Sequence, residues 1–308
     1  MDRFLLMKCF ARAVETGSFS AAARELGIGQ PNVSRYVAAL EQHLETRLMQ
    51  RSTRRLTLTP EGERYYAEAR RILDAVTEAE STARGDDQPS GLLRVACPTT
   101  LGRIHLLPLV RPLLERHPKL ELELQISDRY VDLVNEAVEL AIRIGNLEDS
   151  TLRARRIGMF QRVCVASVDY LARRGMPRTP GDLRDHDCIV YTLLSSAGTW
   201  HFRDTEVSVT GRLRVNSPDA VREAVLQGIG VGYGPLWLFE DALRTGSARL
   251  ILRDYIGPPV PLQIVYAASR LLPRRAVVFM DFIAEAFAAI PALNENGLAA
   301  IDAPAADA

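Results

Sequence analysis

The clearest chemical pattern in the sequence is a set of polar side chains at the start of one amphipathic segment near the N-terminus. Apolar residues recur along this segment at offsets of four, three and four, which is helical spacing: Val33, Val37, Leu40 and Leu44. The opposite side of the helix carries Pro31, Asn32 and Arg35, with Gln30 and Ser34 on its flanks. A guanidinium such as that of Arg35 can bind guanine O6 and N7, and an amide such as that of Gln30 can pair with adenine. The pattern indicates a helix that presents hydrogen-bonding groups to base edges in a major groove.

A cluster of arginines follows this helix. Between residues 47 and 58 the chain carries no acid and four arginines, a local charge of +4: Arg47, Arg51, Arg54 and Arg55. The whole chain has 38 Lys plus Arg and 38 Asp plus Glu, so its formal net charge is zero and the composition hides this local excess. Such a segment is able to contact phosphates or a minor groove.

The elements that must hold these groups can be located from caps and glycines. Apolar spacing predicts a first helix over 2–16, which ends at Gly17, and Ser18 is a good N-cap for a short alanine-rich helix over 19–26. Only the turn 27–29 separates that helix from the segment with Arg35, and two helices joined so tightly form a helix-turn-helix unit. The arginine segment ends in strand-like alternation and predicts a short hairpin, or wing.

A long helix is predicted to follow the wing, because Thr59-Pro60-Glu61 combines an N-cap, a first-turn proline and an early acid. To about Thr82 its apolar residues are spaced as in a coiled-coil seam: Tyr65, Ala69, Ile72, Val76, Ala79 and Ala83. We interpret the seam as a homodimer contact, with packing against its own domain as the alternative. The polar and glycine-rich segment 84–91 is the clearest linker in the chain.

Beyond the linker the pattern changes to strands that alternate with helices, which predicts an α/β domain with a parallel sheet covered by helices. Strands are expected at 92–97, 120–126, 140–144, 162–166, 188–191, 213–216, 231–233 and 261–266, and helices at 101–115, 130–137, 169–174, 219–227 and 275–289. The alanine-rich residues 291–308 lack periodicity and are expected to form a flexible tail. Four glycines at 228, 230, 232 and 234 lack the spacing of a dinucleotide fingerprint, so we interpret them as sites of close backbone packing.

The stretch SFSAAARELGIGQPNVSRYVAALEQHLETRLMQRSTRRLTLTPEG closely resembles the N-terminal domain of LysR-type transcriptional regulators. The resemblance continues through LRVACPTTLGRIHLLP, ISDRYVDLVNEAVELAIRIGNLEDSTLRARRIG and GIGVGYGP, so it covers about residues 4 to 290. It implies that base contacts come from Gln30, Pro31, Ser34 and Arg35, and that wing and phosphate contacts come from Arg51, Arg54 and Arg55, with Ser20 in addition. Two positions depart from the family pattern. Gly29 stands where a serine is frequent, and Glu45 stands where a glycine is common, so we expect a local adjustment at Glu45.

The resemblance also implies the domain organisation: a winged helix-turn-helix at 1–59, a dimerising linker helix and hinge at 60–90, and an effector domain at 91–290. That effector domain would be similar to periplasmic binding proteins, with two α/β subdomains joined by crossovers near residues 155–161 and 266–270. Ligands of such sheets bind where strands end and helices begin. Facing corners of the cleft would come from Thr99 and Thr100 and from Asn216 and Ser217, and would suit a small carboxylate or another polar metabolite. Ser127 and Tyr191 are weaker candidates, placed only by strand ends.

These observations predict a DNA-binding regulator in the cytoplasm that responds to a small-molecule effector. Its expected partners are double-stranded DNA, the effector and copies of itself, as a dimer through the linker helix and, by the resemblance, a tetramer; RNA polymerase is a candidate partner. The chain contains no 18-residue apolar stretch that would predict a membrane span. It also contains no clustered histidines and no nucleophile elbow, so we expect no metal, no cofactor and no enzymatic activity. The four scattered cysteines point to buried thiols in a reducing compartment, with a thiol sensor as the alternative. The rival function is a metabolite receptor whose helical N-terminus contacts proteins and does not read DNA.

Overall fold

The computed structural model describes residues 2–51, 56–83, 88–129, 131–133, 138–145, 152–193, 196, 198–268, 272–295 and 297–302. The N-terminal part consists of four helices and a two-stranded hairpin: α1 (Arg3–Thr16), α2 (Phe19–Leu26), α3 (Gln30–His43), β1 (Met49–Arg51), β2 (Leu56–Leu58) and α4 (Pro60–Ala83). The predicted caps are present. Gly17 and Gly27 are left-handed at the ends of α1 and α2, and the Ser18 side chain accepts a hydrogen bond from the Ala21 backbone N–H. The predicted hairpin is antiparallel and pairs Gln50 with Thr57.

The turn after α3 contains Glu45, where the family resemblance predicts a local adjustment. Glu45 is left-handed, with φ of 51°, a geometry in which L residues are strained and glycine is not. Further on, Gly62 lies in the first turn of α4 directly against the base of the wing. A Cβ atom at Gly62 would lie 1.9 Å from the Leu48 carbonyl oxygen, so only glycine allows α4 to start this close to the hairpin.

The C-terminal part is α/β. Its strands are β3 (Gly91–Cys97), β4 (Leu120–Ile126), β5 (Leu140–Ile144), β6 (Leu152–Phe160), β7 (Arg162–Ser167), β8 (Val190–Tyr191), β9 (Thr199–His201), β10 (Glu206–Ser208), β11 (Arg214–Val215), β12 (Gly232–Pro235), β13 (Ala248–Ile251) and β14 (Val260–Ala267). Its helices are α5 (Thr99–Leu101), which runs through a π-helical segment (Gly102–Leu106) into α6 (Leu107–Arg116), then α7 (Val168–Arg174), α8 (Pro218–Leu226), α9 (Leu236–Arg244), α10 (Arg274–Ala288) and α11 (Gly297–Asp302), with short 3-10 turns at Pro180–Asp185, Arg253–Tyr255 and Pro291–Leu293.

The strands form two subdomains with separate sheets. The first sheet has the order β4-β3-β5-β14-β6, in which β3 runs parallel to β4 and β5, and β14 runs antiparallel to β5 and β6. The second has the order β12-β7-β13 and is antiparallel, and a short parallel pair joins β8 and β11. The predicted parallel sheet is confirmed for β3, β4 and β5, but β14 and β6 add antiparallel neighbours to it, and β7 runs antiparallel to both of its neighbours in the second sheet.

The first predicted crossover between the subdomains, near residues 155–161, is confirmed, and the second is misplaced. The first is a continuous extended segment, in which only Gln161 separates β6 of the first sheet from β7 of the second. The second was expected near residues 266–270, but β14 already pairs with β5 and β6 from Val260 onwards. The chain therefore crosses back before Val260, between β13 and β14. Most of the helix predicted at 130–137 lies outside the described residues, and 131–133 are not helical.

The expectation of a flexible tail from residue 291 is wrong for its first part. Ala292 and Leu293 are buried in the main core, and α11 follows at Gly297–Asp302. A short apolar stretch has no periodicity of its own, so the sequence does not reveal that it packs against a distant surface. Residues 303–308 lie outside the described residues.

The glycine run behaves as close packing requires. A Cβ atom at Gly230 would lie 2.2 Å from the Asp187 carbonyl oxygen, and one at Gly232 would lie 2.5 Å from Val225 Cγ2. These glycines bring the chain entering β12 against its neighbours, and the interpretation as packing sites is confirmed.

Candidate functional site

Helix α3 presents the predicted polar residues on its outer side. Gln30, Pro31 and Arg35 are exposed, and Asn32 and Ser34 are half-buried. Val33, Val37 and Leu40 hold the inner side in the core of the N-terminal domain. The Arg35 guanidinium carbon lies 5.5 Å from the centre of the Tyr36 ring, a cation–π distance that restrains the side chain. Ser20, on α2, is also exposed.

The wing is held by a carboxylate that sequence reasoning missed. Glu41 is buried on α3, and its Oε1 accepts hydrogen bonds from the backbone N–H groups of Leu48 (2.9 Å) and Met49 (3.0 Å). Its Oε2 lies 3.9 Å from the guanidinium of the exposed Arg47. The link therefore ties the start of the wing to the helix that carries Arg35. A glutamate at a position of helical apolar spacing was the available signal, since a buried acid must find donors.

The remaining wing arginines are less fully described. Arg51 is the last residue of β1, and only its backbone is described. Arg54 and Arg55 lie outside the described residues.

The linker helix divides into two parts. Ala69 is buried, and Tyr65 packs with its ring 5.7 Å from that of Phe10 on α1. Further along, Ile72 is 45% exposed and Ala79 is exposed. The start of the predicted seam therefore packs in the chain's own domain, whereas Ile72 and Ala79 are exposed and Val76 between them is half-buried.

A chain of ion pairs joins the linker helix to both neighbouring domains. On α4, Arg70 pairs with Glu15 of α1 and lies 3.7 Å from Asp74. Asp74 in turn accepts a hydrogen bond from Arg275 of α10 at 2.9 Å, and Arg275 also donates to Glu139 at 2.6 Å. The Arg275 side chain is only 6% exposed. Burial raises the pKa of Glu139, against the opposing effect of Arg275.

A cavity of about 540 Å³ lies between the two subdomains of the α/β part. The first subdomain contributes the ends of β3, β4 and β5, and the second contributes β7, β8, α8, β12 and α9. Its position at strand ends, where the chain passes between two sheets, is typical of small-molecule sites. We call this cavity the cleft.

The predicted effector residues divide between the cleft and its surroundings. Thr100, Ser127 and Tyr191 line the cleft. Thr99 does not line it, and its backbone N–H donates to Asp128 at 2.8 Å. Asn216 and Ser217 do not line it either, although the neighbouring Pro218 does; Ser217 precedes α8 as its N-cap residue and makes no side-chain capping bond.

A carboxylate missed by sequence reasoning bridges the two subdomains beside the cleft. Asp219, in the first turn of α8, accepts a hydrogen bond from the Thr100 hydroxyl at 2.9 Å. Its other oxygen accepts one from Arg103 at 2.6 Å. Thr100 and Arg103 belong to the first subdomain and α8 to the second, so Asp219 ties the two together. The pairing spans 119 positions in the sequence and leaves no local signal.

Aromatic side chains form much of the cleft wall, including Phe160, Tyr191, Tyr233 and Trp237. Burial raises the pKa of Tyr191 to about 12, with the charge of Asp128 as the smaller cause, and burial also raises the pKa of Tyr233 to about 12, so both phenols stay neutral. The Tyr233 hydroxyl donates to the His201 carbonyl oxygen. Behind the wall, His105 packs edge-on to Trp237, and burial lowers its pKa to about 4.

The cysteines are all buried and free of disulfides. Cys97 lines the cleft, and burial raises its pKa well above the usual range. Burial likewise raises the pKa of Cys164, and that of Cys188 to about 12. A buried neutral thiol is a poor nucleophile, which disfavours the thiol-sensor alternative.

In the described part of the chain, no helix is long and apolar enough to cross a membrane. Within the same residues, no group of three or more His, Cys, Asp or Glu side chains could hold a metal ion.

Comparison with protein families gives two matches that together span most of the chain. Residues 4–63 match the bacterial regulatory helix-turn-helix protein, lysR family, and residues 86–288 match the LysR substrate binding domain. The first match contains α3 and the wing, and the second contains the cleft.

Individual relatives align over nearly their whole length. The chain is 36% identical to the HTH-type transcriptional regulator YhjC of Escherichia coli K12 over 291 residues, which is 92% of this chain and 97% of YhjC. It is 31% identical to the HTH-type transcriptional activator AaeR of the same organism, over 96% of this chain and 97% of AaeR. The solved structure of CrgA, a LysR-type transcriptional regulator from Neisseria meningitidis, matches with a TM-score of 0.60 and 32% identity, over 91% of this chain and 97% of CrgA.

Proposed function

The chain belongs to the LysR family of transcriptional regulators, and from that premise we propose that it reads its operator with α3 and the wing arginines, under the control of an effector bound in the cleft. The observation that carries the proposal is the exposed polar side of α3. Gln30, Pro31 and Arg35 project from the domain surface, and Asn32 and Ser34 flank them. An N-terminal polar face on the second helix of such a unit is what a major groove accepts.

The proposed DNA contacts divide by chemistry. Arg35 and Gln30 offer forked hydrogen bonds to base edges and specify sequence, with Asn32 and Ser34 beside them. Ser20, Arg51, Arg54 and Arg55 supply phosphate or minor-groove contacts that position the domain. Glu41 fixes the base of the wing against α3, so the two kinds of contact keep a constant geometry.

Members of this family form oligomers, and we propose that this chain forms a homodimer through the second half of α4 and a tetramer through its effector domains. Support comes from Ile72 and Ala79, which are exposed beyond the part of the helix that packs in its own domain. An apolar stripe left uncovered on a long helix favours a partner helix. Sedimentation of the full chain tests this point, and a concentration-independent monomer would contradict it.

The cleft supports the proposed effector site, since it combines aromatic walls with a few polar groups in a volume suited to a small metabolite. Ser127 and Tyr191 are proposed to take part in effector binding, with Thr99, Thr100, Asn216 and Ser217 shaping the adjoining turns. The relatives are transcriptional regulators, and we infer a role without catalysis, in the cytoplasm where the DNA lies. Conversion of a bound metabolite would contradict this inference.

The experiment that tests DNA reading is fluorescence anisotropy of the full chain on the DNA that flanks its gene, against a scrambled duplex, over a range of salt concentrations. We expect Arg35→Ala to weaken binding to the native fragment by about 1 to 3 kcal/mol and to leave the scrambled duplex nearly unaffected. Arg111→Ala is the matched control, because Arg111 is an exposed arginine on α6 of the effector domain.

An equal loss of affinity for the native fragment in Arg35→Ala and Arg111→Ala would contradict the proposal that α3 reads the DNA sequence through Arg35. Absence of binding to any genomic fragment in a site-selection experiment would favour the alternative, a metabolite receptor that does not read DNA.

A further inference from the structure

At Thr99–Thr100 and at the start of α8, where the sequence predicts a ligand carboxylate, the cleft already holds carboxylates of the chain itself. We call these two positions the corners of the cleft. At the first corner, the Thr99 backbone N–H donates to Asp128 at 2.8 Å. At the second, Asp219 lies in the first turn of α8 and accepts hydrogen bonds from Thr100 and Arg103. Thr100 is 1% exposed, so its hydroxyl has little room for a second acceptor.

A second anion at these corners would be opposed by the charges already there. Like charges a few ångströms apart repel strongly when water is partly excluded. The positive end of α8 is also compensated by Asp219, because an acid in the first turn of a helix neutralises the N-terminal partial charge. The corner between Thr100 and α8 is therefore the part of the cleft least able to bind an acid group.

Cationic groups line the cleft elsewhere. Arg129 follows β4, Arg143 lies on β5, and Arg162 is the first residue of β7. Arg143 donates to the Val131 carbonyl oxygen at 2.8 Å. Among the described residues neither Arg129 nor Arg162 forms an ion pair with a carboxylate. Arg129 is exposed, whereas Arg162 is half-buried and lines both the cleft and a smaller adjoining cavity beside Tyr233.

We propose that the cleft binds a small apolar acid whose carboxylate is held by Arg162, because Asp128 and Asp219 fill the other anion positions with the chain's own charges. This inference rests on the proposed function, since it takes the cleft to be the effector site. In this arrangement Arg162 determines specificity by binding the ligand carboxylate, and Asp219 determines it by repelling an acid group from the corner beside Thr100.

The rest of the cleft sets the class of the ligand body. Phe160, Trp237 and Leu238 are buried apolar or aromatic side chains of the wall, and Tyr233 lies beside Arg162. A half-buried guanidinium next to aromatic rings binds a planar carboxylate with two parallel hydrogen bonds and lets the body stack on the rings. An aromatic monocarboxylate meets both conditions.

The test uses benzoate as the probe and benzamide as its uncharged counterpart, titrated into the full chain by isothermal calorimetry. We expect benzoate to bind more tightly than benzamide, and Arg162→Gln to weaken benzoate by about tenfold or more while leaving benzamide within about twofold. Arg155→Gln is the matched control, because Arg155 is an arginine of β6 that does not line the cleft and pairs with Asp281.

Two further variants locate the acid group. Thr100→Val removes the corner hydroxyl at constant volume and is expected to change benzoate affinity by less than about twofold, whereas loss of a bond to a charged ligand would cost about tenfold. Asp219→Asn removes a negative charge and is expected to tighten benzoate by about threefold or more.

Three outcomes would overturn the inference: unchanged benzoate affinity in Arg162→Gln, a larger loss in Thr100→Val than in Arg162→Gln, or no benzoate binding to the wild-type chain. Anisotropy on operator DNA separates these results from failure of the proposed function. Normal operator binding with no benzoate binding refutes only the ligand class, and absence of operator binding refutes the regulator itself.

Discussion

Removal of Arg275 is expected to destabilise the effector domain far more than removal of an ordinary surface arginine. Its guanidinium donates to Asp74 at 2.9 Å and to Glu139 at 2.6 Å, and the side chain is 6% exposed. Arg275→Ala leaves both carboxylates without this cation, and breaking a buried pair in this way costs about 3 to 5 kcal/mol. Arg70 remains 3.7 Å from Asp74, so the uncompensated charge is mainly that of Glu139, and we expect a loss near about 3 kcal/mol.

The matched control is Arg155→Ala. Arg155 donates to Asp281 of the same helix α10 at 2.6 Å, but the two side chains are 40% and 60% exposed. Exposed pairs contribute about 0 to 1 kcal/mol. The distance from Arg155 to Asp281 equals that from Arg275 to Glu139, and the two arginines differ in burial and in the number of carboxylates that they bind. At about 2 to 4 °C per kcal/mol for a domain of this size, Arg275→Ala should lower Tm by about 6 °C or more, and Arg155→Ala by less than about 4 °C.

Tryptophan fluorescence is the suitable assay, because Trp200 and Trp237 both lie in the effector domain and report its unfolding separately from the N-terminal helices. A second measurement checks the cause. Burial already raises the pKa of Glu139, and loss of Arg275 raises it further, so lowering the pH protonates Glu139 and should recover part of the lost stability. Equal Tm shifts for the two arginine variants, or a deficit that grows on acidification, would refute the assignment of a buried ion-pair junction.

Three other predictions concern single residues. Glu41→Ala removes both hydrogen bonds to the wing backbone and should cost about 2 to 4 kcal/mol by thermal circular dichroism, with weaker operator binding; Glu41→Gln should retain part of both. Glu45→Gly relieves a left-handed residue and should stabilise the N-terminal domain by about 1 kcal/mol, and Glu45→Ala, which keeps the strain, should not. Burial lowers the pKa of His105 from 6.5 to about 4, so between these pH values only the unfolded state takes up a proton. The free energy of unfolding should therefore fall by up to about 3 kcal/mol as the pH drops through this range. His105→Phe should lack this loss in tryptophan-monitored denaturation.

The helices of the N-terminal domain could be predicted to within about one residue because their ends are set by local chemistry. Ser18 caps α2 with its own hydroxyl, and Gly17 and Gly27 end α1 and α2 in left-handed geometry. Each signal lies within a few residues of the boundary that it fixes. An adjustment at Glu45 could be predicted from the resemblance, in which glycine is common at this position, and Glu45 adopts left-handed geometry there with φ of 51°.

The errors arose where distant residues decide the structure. Leu293 is buried only because the folded effector domain offers it a surface, and the strand pairings that place the second crossover before Val260 join segments more than 100 residues apart. The same limit applies at the cleft. Thr100 could be placed there from its position after a strand, but its hydrogen bond to Asp219 could not be predicted. The sequence therefore did not reveal that a carboxylate of the chain already occupies this position.

The contacts at the two junctions of the effector domain determine how much binding free energy an effector must supply to change the arrangement of the domain. Asp219 bridges the subdomains through Thr100 and Arg103, and Arg275 bridges the domain to the linker helix through Asp74. A hydrogen bond at 2.9 Å weakens steeply within less than an ångström of added separation. A ligand that favours a wider separation of the subdomains is therefore expected to break the contact between Asp219 and Arg103. Exchange of one such charged hydrogen bond is worth about 1.5 to 3 kcal/mol, which is the whole size of a typical allosteric coupling. Coupling between effector binding in the cleft and DNA binding thus requires no large rearrangement of the core. The coupling free energy of Asp219→Asn should be smaller than that of the wild type by about 1.5 to 3 kcal/mol.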